Sequence, residues 1–289
     1  MHINYVTNAD LCNEIRKNLW KIPHDISGVI CIPRGGLFCG SVIAEFLHVP
    51  IYTVDSFLEG KDLGMGLARE NMSVKMGKWL VVDDSVATGK ALTDAYYRLK
   101  GYGDFIFCAV VADMGMQGYW QHVPDVIVLC DIWEPRVFEL NLFRTVWITK
   151  SILDIDGVLC KNPQWGLDEN EELYIEHIKN ADPLMPLTYP ALALCTSRLS
   201  KYCEETKTWL VKNNIQYQML YMSDIPSREE RMNLIRDPIV TDMKARVYSS
   251  YHQDDAALFI ESSYSEASHI FSITKRPVLC LDTNTLIQD

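Results

Sequence analysis

KWLVVDDSVATGKALTDAYYRL, residues 78–99, is the stretch that decides the fold of the first half of the chain. An apolar run leads into two adjacent acids, Asp83 and Asp84, then into a short loop with Thr88 and Gly89, and then into a helix-like segment. Loop amides and a helix N-terminus can bind a phosphate, and carboxylates at a strand end can accept hydrogen bonds from vicinal hydroxyls. The stretch therefore predicts an anion site beside a diol site.

Short β-branched runs alternate with helix-like stretches outward from this segment in both directions. This alternation predicts βαβ units and parallel sheets. The pattern restarts after about residue 148, which predicts an α/β protein with two doubly wound parallel-sheet domains in tandem, residues 1–148 and residues 149–289. The predicted strands cover residues 28–32, 51–55, 78–84, 105–113, 126–131, 191–197, 215–222, 256–261 and 277–282, with one more beginning at Ser151.

The composition excludes several classes of protein. The chain has 289 residues and a formal net charge of −11. Residues 1–150 carry 14 Lys and Arg against 17 Asp and Glu, and the rest carry 13 against 21, so a nucleic-acid partner is disfavoured. No apolar stretch reaches about 18 residues, and the nine cysteines include no C-x-x-C pair. We expect a cytoplasmic protein with reduced thiols and no membrane partner; a homodimer is left open.

Two segments of the first half resemble a known family. VVDDSVATGKA (residues 81–91) closely resembles the phosphoribosyl-diphosphate (PRPP) binding motif of the type I phosphoribosyltransferases. ICIPRGGLFCGSVIAEFL (residues 30–47) resembles the loop that holds diphosphate in that family. The resemblance implies that Asp83 and Asp84 hold the ribose hydroxyls. It implies a PRPP site made of Arg34, Gly35, Gly36, Asp83, Asp84, Ala87, Thr88, Gly89, Lys90 and Ala91.

The same resemblance implies two further parts. A loop that closes over the diphosphate would correspond to residues 56–78, where Lys61, Arg69 or Lys75 could supply a cation. A hood over the nucleobase would correspond to residues 131–141. That segment offers Trp133 and Phe138 for base stacking.

Two positions depart from the family pattern. Purine-using members have an acid where this chain has Ala87, and many members have a hydroxyl where it has Ala91. The first departure leaves the acceptor base open, and the second removes one phosphate contact. An alternative therefore stands beside catalysis, in which the first domain senses PRPP or a nucleotide without turning it over.

The second half opens with SILDIDGVLC, residues 151–160. An apolar strand ends in Asp154 and Asp156, whose side chains share one side of the strand because the strand period is two, and Gly157 allows a sharp turn. Phosphoryl transfer through an acyl phosphate uses such a pair. One carboxylate attacks phosphorus, and the other protonates the leaving oxygen and then activates water.

This motif looks like the first motif of the haloacid dehalogenase (HAD) phosphatase superfamily. The resemblance implies that Thr196, in ALALCTSR, binds the phosphoryl group and that Lys244 neutralises the phospho-aspartate. It also implies an acidic loop for Mg²⁺ in ALFIESSYSEA, residues 257–267. The expected metal ligands are Asp154, Asp156 and Glu261, with Glu266 as the alternative to Glu261.

Two further features bear on this second site. Lys201 is an alternative to Lys244, although a solvated helix charge explains it more simply. The segment after Thr196 also resembles HAD phosphatases related to the polynucleotide-kinase phosphatase domain. Only residues 160–190 separate the first two motifs, which predicts a minimal cap and an open site.

Together these features predict a bifunctional enzyme of nucleotide metabolism. The first domain would transfer phosphoribosyl from PRPP to a nucleobase-like acceptor, and the second would hydrolyse a phosphate ester with Mg²⁺ as cofactor. The expected partners are small molecules: PRPP, a nucleobase or nucleotide, and a phosphate ester. The acceptor base and the phosphatase substrate stay open.

Overall fold

The computed structural model describes residues 2–63, 77–124, 126–164, 166–225, 230 and 239–288. The chain forms two compact units. The N-terminal unit spans Asn4–Leu140, and the C-terminal unit combines Asn141–Asp289 with Met1–Ile3. The predicted boundary followed residue 148, whereas the division falls after Leu140. Phe143 explains part of the difference, because its carbonyl accepts a hydrogen bond from the Thr188 amide of the C-terminal unit at 3.3 Å.

The N-terminal unit is built on a five-stranded parallel sheet in the order β3-β2-β4-β5-β6, with β1 and β7 forming a separate parallel pair. Its strands are β1 (Asn4–Val6), β2 (Ile26–Cys31), β3 (Ile51–Thr53), β4 (Lys78–Val86), β5 (Phe105–Ala112), β6 (Val126–Asp131) and β7 (Arg136–Phe138). Its α-helices are α1 (Asn8–Asn18), α2 (Gly35–Leu47), α3 (Val54–Leu58) and α4 (Lys90–Leu99).

Helices cover both faces of this sheet. Val29 and Cys31 of β2 point into an apolar cluster with α1 and α2, while Ile30 and Ile32 point into a second cluster that includes Leu92 of α4. Side chains alternate across a strand, so a buried strand with apolar residues in succession supplies both clusters. The predicted doubly wound parallel α/β architecture is therefore present in this unit.

The C-terminal unit has a six-stranded sheet in the order β10-β9-β8-β11-β12-β13, parallel except for β13. Its strands are β8 (Ser151–Leu153), β9 (Ala191–Leu199), β10 (Tyr217–Ser223), β11 (Leu258–Glu261), β12 (Val278–Cys280) and β13 (Thr285–Ile287). Its α-helices are α5 (Glu171–Asn180), α6 (Cys203–Lys212), α7 (Ile239–Ser250) and α8 (Tyr264–Thr274). Short 3-10 helices lie at Leu19–Lys21, Met114–Tyr119, Glu139–Arg144, Val146–Lys150, Leu167–Glu169 and Ser200–Tyr202.

The structure differs from the predicted strands mainly at their ends. The strand predicted for residues 51–55 stops at Thr53, whose hydroxyl accepts a hydrogen bond from the Ser56 amide while the Ser56 hydroxyl accepts one from the Thr53 amide. This reciprocal capping starts α3 at once. Strands β1, β7 and β13, of three residues each, were not predicted. No helix within the described ranges is long and apolar enough to span a membrane.

Phe107→Ala tests the packing of the N-terminal sheet. Phe107 of β5 is buried, with its ring 6.0 Å from the ring of Tyr96 on α4. Removing the ring should destabilise this unit by about 3–5 kcal/mol, because it leaves a cavity between sheet and helix. Thermal and urea unfolding of the full chain would measure the loss. Tyr102→Ala, at a side chain 65% exposed, is the control, and an equal loss in both variants would contradict the packing argument.

Candidate functional sites

The acids predicted to bind a ribose diol lie at the carboxyl end of β4. Asp83 is buried, and Asp84 is half-buried directly after it. The Asp84 amide donates a hydrogen bond to Asp83 Oδ1 at 3.1 Å. Burial, together with the neighbouring Asp84 charge, raises the pKa of Asp83 to about 8. Burial also raises the pKa of Asp84, against the opposing effects of its hydrogen bonds with Asp83 and with backbone amides and, to a smaller extent, of the Arg136 charge.

The loop after β4 and the start of α4 form a cavity of about 560 Å³ that Asp83 lines and Asp84 does not. Gly89 precedes α4 with φ of +69°, and no side chain caps this helix within the described residues. The first-turn amides of α4 are therefore available to an anion. The cavity is lined by Asp83, Ser85, Val86, Ala87, Thr88, Gly89, Lys90, Ala91, Leu92 and Asp94.

Gly89 also packs against the side chain of a buried tryptophan. A Cβ on Gly89 would lie 2.4 Å from Trp120 Cβ, and the positive φ alone disfavours any larger residue. The indole of Trp120 thus forms a wall behind the loop.

The second predicted phosphate segment reaches the acids of β4, although it does not line the cavity at α4. Arg34 precedes α2, and its side chain is exposed. A Cβ on Gly35 would lie 2.3 Å from Cγ of Asp84, and one on Gly36 would lie 2.6 Å from the carbonyl oxygen of Val82. Two glycines at the start of α2 therefore let this helix approach the end of β4. The structure brings together two motifs that are about 50 residues apart in the sequence.

The predicted hood residues are placed differently from each other. Trp133 is 69% exposed, whereas Phe138 packs against the apolar cluster beneath α1 and α2. Neither is among the described residues that line the cavity next to α4. Packing against the core accounts for Phe138 without a base, so stacking remains a prediction mainly for Trp133.

The cations predicted for the closing loop are only partly described. Arg69 and Lys75 lie outside the described residues. Lys61 is exposed, with its Nζ 3.1 Å from Glu59 Oε2. The structure gives no further support for Lys61 as the closing cation.

In the C-terminal unit, predicted site residues meet at the carboxyl ends of three neighbouring strands. Asp154 follows β8, which lies between β9 and β11. Thr196 lies on β9 and is buried, and Glu261 ends β11 and is buried. The Asp154 amide donates to the Ile260 carbonyl at 3.0 Å, which fixes the register of β8 on β11.

Lys244 of α7 joins this group from the side. Its buried Nζ lies 2.9 Å from Asp154 Oδ2, 2.7 Å from Glu261 Oε2 and 2.7 Å from Glu266 Oε2. Burial raises the pKa of Asp154 well above its usual range, because Lys244 only partly offsets desolvation and the charges of Glu261 and Glu266. Burial lowers the pKa of Lys244, but the three carboxylates outweigh burial and raise it.

Asp156 has a partner of its own that the sequence reading missed. Arg198 Nε lies 2.9 Å from Asp156 Oδ2, and Nη2 lies 2.7 Å from Oδ1. Burial alone would raise the pKa of Asp156, but the Arg198 guanidinium outweighs it and lowers the pKa. A charged residue two positions after Thr196, inside an apolar strand, was the available signal. The predicted general acid is thus held as a carboxylate in this conformation.

Lys201, the alternative to Lys244, lies elsewhere. Its exposed side chain has Nζ 2.6 Å from Glu171 Oε1. Lys201 does not line the cavity of about 560 Å³ that opens beside Asp154. This cavity is lined by Asp154, Asp156, Asn162, Pro163, Gln164, Gly166, Asp168, Glu169, Tyr174, Thr196, Ser197, Arg198, Glu261, Ser262, Ser263 and Glu266.

The residues of the C-terminal unit fit Mg²⁺ in charge and ligand type. Within the described part of the chain, no three His, Cys, Asp or Glu side chains are already arranged around an ion position. Three carboxylates nevertheless face one ammonium, which leaves an uncompensated negative charge, and carboxylate oxygens are the ligands that Mg²⁺ prefers. Asp154 with Glu261 or Glu266 could hold the ion; Asp156 is occupied by Arg198.

Asp83→Asn should stabilise the N-terminal unit. A carboxyl with a raised folded-state pKa stabilises the fold fully below its unfolded pKa of about 4 and loses that contribution as pH rises to about 8. The free energy of unfolding of the variant should therefore exceed that of wild type by an amount that grows with pH and reaches on the order of 2 kcal/mol near pH 8. Urea unfolding across this range measures the difference. A gain in stability that does not grow with pH would count against the raised pKa of Asp83. So would an equal gain in Asp104→Asn, at an exposed position.

Lys244→Met should destabilise the C-terminal unit by at least about 3 kcal/mol, because it leaves buried carboxylates without their cation. Lys161→Met is the matched control: Lys161 pairs with Asp182 at 2.9 Å, but both side chains are exposed. The control should cost less than about 1 kcal/mol. Similar unfolding midpoints for the two variants would refute a dominant role for the buried ammonium.

Comparison with known proteins gives similarities of fold only. No protein-family model and no curated protein matches the chain. The solved orotate phosphoribosyltransferase from Aeropyrum pernix is similar at 18% identity, covering 42% of this chain and 68% of that one, with a TM-score of 0.32. A purine phosphoribosyltransferase from Pyrococcus horikoshii is similar at 19% identity, covering 48% and 93%, with a TM-score of 0.35.

A third structure covers nearly the whole chain. A chain of the Pnkp1/Rnl/Hen1 complex is similar at 14% identity, over 97% of this chain and 87% of that one, with a TM-score of 0.27. Phosphoribosyltransferase structures thus cover about half of the chain, and none of these comparisons supports the predicted HAD domain.

Proposed function

We propose that the protein is a bifunctional enzyme. The N-terminal unit transfers phosphoribosyl from PRPP to a nucleobase-like acceptor, and the C-terminal unit hydrolyses a phosphate monoester through an aspartyl phosphate. The observation that carries the proposal is the contact of Lys244 with Asp154 and Glu261, at strand ends beside a cavity. The close approach of Gly35, at the start of α2, to Asp84 supports the phosphoribosyl transfer activity.

In the N-terminal unit, the carboxylates at the end of β4 would accept hydrogen bonds from the ribose hydroxyls. The loop of residues 87–89 and the first amides of α4 would bind the 5-phosphate. Displacement at the anomeric carbon passes through an oxocarbenium-like state: the acceptor nitrogen forms the new bond as the bond to diphosphate breaks. Mg²⁺ bound with PRPP would neutralise the departing diphosphate.

In the C-terminal unit, a carboxylate oxygen of Asp154 would attack phosphorus while the ester oxygen leaves. Thr196 and Lys244 would bear the charge on the phosphoryl oxygens, and water would then hydrolyse the aspartyl phosphate. Asp156 would deliver and accept the protons once substrate draws Arg198 away from it. Mg²⁺, when bound, lets two anionic groups approach each other.

A second candidate function concerns the N-terminal unit alone. Ala87 and Ala91 line the cavity without the acid or hydroxyl of many phosphoribosyltransferases. This observation favours a unit that binds PRPP or a nucleotide and regulates the phosphatase. In this alternative, binding occurs without release of diphosphate.

Two variants of the full chain separate the activities. Asp154→Asn should abolish release of orthophosphate from a panel of phosphate monoesters, because the amide cannot attack phosphorus, and should leave PRPP affinity unchanged. At pH 9, where most of the Asp83 carboxyl is ionised, Asp83→Asn should weaken PRPP binding about tenfold or more through loss of a charge-assisted hydrogen bond, and leave orthophosphate release unchanged. Calorimetry with PRPP and Mg²⁺, and assays for both phosphate products, measure these effects.

Asp182→Asn is the control, since Asp182 is an exposed acid of the C-terminal unit. Orthophosphate release that persists in Asp154→Asn would refute the phosphatase site. PRPP binding without diphosphate release, over a panel of nucleobases, would support the second candidate function, in which the N-terminal unit senses PRPP and does not turn it over. Phosphate release that requires both PRPP and a base would indicate that the two units act in sequence.

A further inference from the structure

Arg136 is a buried cation that lies in the predicted hood segment, residues 131–141, and outside both phosphate motifs. It begins β7, and its side chain is 2% exposed. Its Nε and Nη2 lie 2.9 Å and 2.7 Å from Glu134 Oε1, and its backbone amide lies 2.8 Å from Glu134 Oε2. Nη2 also donates to the carbonyl oxygen of Val86 at 3.1 Å. Arg136 thus connects β7 with the last residue of β4.

The Val86 carbonyl belongs to the peptide unit that leads into the loop of residues 87–89. A hydrogen bond to this carbonyl fixes the orientation of that peptide plane, and so the direction in which the loop leaves β4. A charged donor makes such a bond stronger than a neutral one. The loop is therefore oriented by a side chain from outside the segment 78–99.

Arg136 has one donor that a purely structural clamp would not need. Nη1 is buried and has no hydrogen-bond partner within the described residues. A buried donor without an acceptor reduces stability, so packing alone does not explain an arginine here. Nη2 of the same guanidinium is the donor that reaches β4, at the Val86 carbonyl. The guanidinium charge also acts on Asp84, where it offsets a small part of the rise in pKa that burial causes.

We infer that Arg136 is a positioning residue of the ribose-phosphate site: it holds the Val86 carbonyl so that the loop of residues 87–89 is preorganised for a phosphate. The inference rests on the proposed function of the N-terminal unit. Because Arg136 acts through the backbone, it need not touch the ligand. Its loss should weaken binding of the phosphate group rather than prevent folding of the sheet.

The test uses ribose 5-phosphate as the probe and the full chain in calorimetry. Arg136→Met should weaken ribose 5-phosphate binding at least tenfold. Arg136→Lys should recover part of the affinity, because an ammonium can still donate to the Val86 carbonyl. Circular dichroism and thermal unfolding show whether each variant is folded.

Lys21→Met is the matched control. Lys21 Nζ donates to the carbonyls of Val128 and Leu129 on β6, at 3.2 Å and 2.8 Å, so it is also a cation on strand carbonyls of this unit. The Lys21→Met variant is expected to have a lower unfolding temperature than wild type and a ribose 5-phosphate affinity that differs by less than twofold. A merely structural role for Arg136 would give the same result as Lys21.

Each outcome decides one point. Affinity within twofold of wild type in folded Arg136→Met would overturn the positioning role and leave the proposed function standing. No binding of ribose 5-phosphate or PRPP by wild type would overturn the proposed function, and the inference with it. If Arg136→Met does not fold, Arg136→Lys decides: a loss of at least threefold in a folded protein supports the role, and an unchanged affinity refutes it.

Discussion

Like charges that lie close together repel one another, and both units of this protein place carboxyl groups side by side: Asp154 after β8 and Glu261 at the end of the neighbouring β11, and Asp83 and Asp84 at adjacent positions of β4. In the C-terminal unit, Lys244 supplies one ammonium for three carboxylates, and Arg198 holds Asp156 separately. In the N-terminal unit, no described cation forms an ion pair with Asp83, and its carboxyl responds by a raised pKa. Cations therefore offset the charge of the carboxylates in the C-terminal unit, whereas in the N-terminal unit a raised carboxyl pKa reduces that charge.

The two solutions suit different ligands. A carboxyl with a raised pKa beside a half-buried neighbour is an acceptor for hydroxyl groups, while the adjacent loop and helix N-terminus provide uncharged donors for an anion. An edge with excess carboxylates requires additional positive charge before an anionic substrate can approach. This contrast explains how a chain with net charge −11 could bind anions without a basic surface.

The parts of the structure that could be predicted are those with a local signal. The alternation of apolar runs and helices identified the parallel sheets, and the strand from Val126 to Asp131 was predicted to the residue. The motif around Asp83 and the motif around Gly35 do meet, because parallel strands place their carboxyl ends on one edge. The domain boundary could not be predicted so closely, because no linker composition marks Leu140.

The partners of the candidate site residues depended on long-range contacts. Arg198 and Arg136 each contact an acid or a carbonyl that their own positions in the sequence do not indicate. Phe138 was expected at a base, but a hydrophobic residue in a short strand can equally face the core, as it does here. Residue type alone cannot separate these roles.

The packing of Gly89 on Trp120 has a consequence for how such motifs are recognised in other sequences. The indole excludes a side chain at this position whether or not a ligand ever enters the neighbouring cavity. A descendant that had lost all affinity for phosphates would still be selected to keep this glycine. A glycine at this position is therefore evidence of the packing against Trp120 and not of phosphate binding. Asp83 and Asp84 are the more informative markers of retained chemistry.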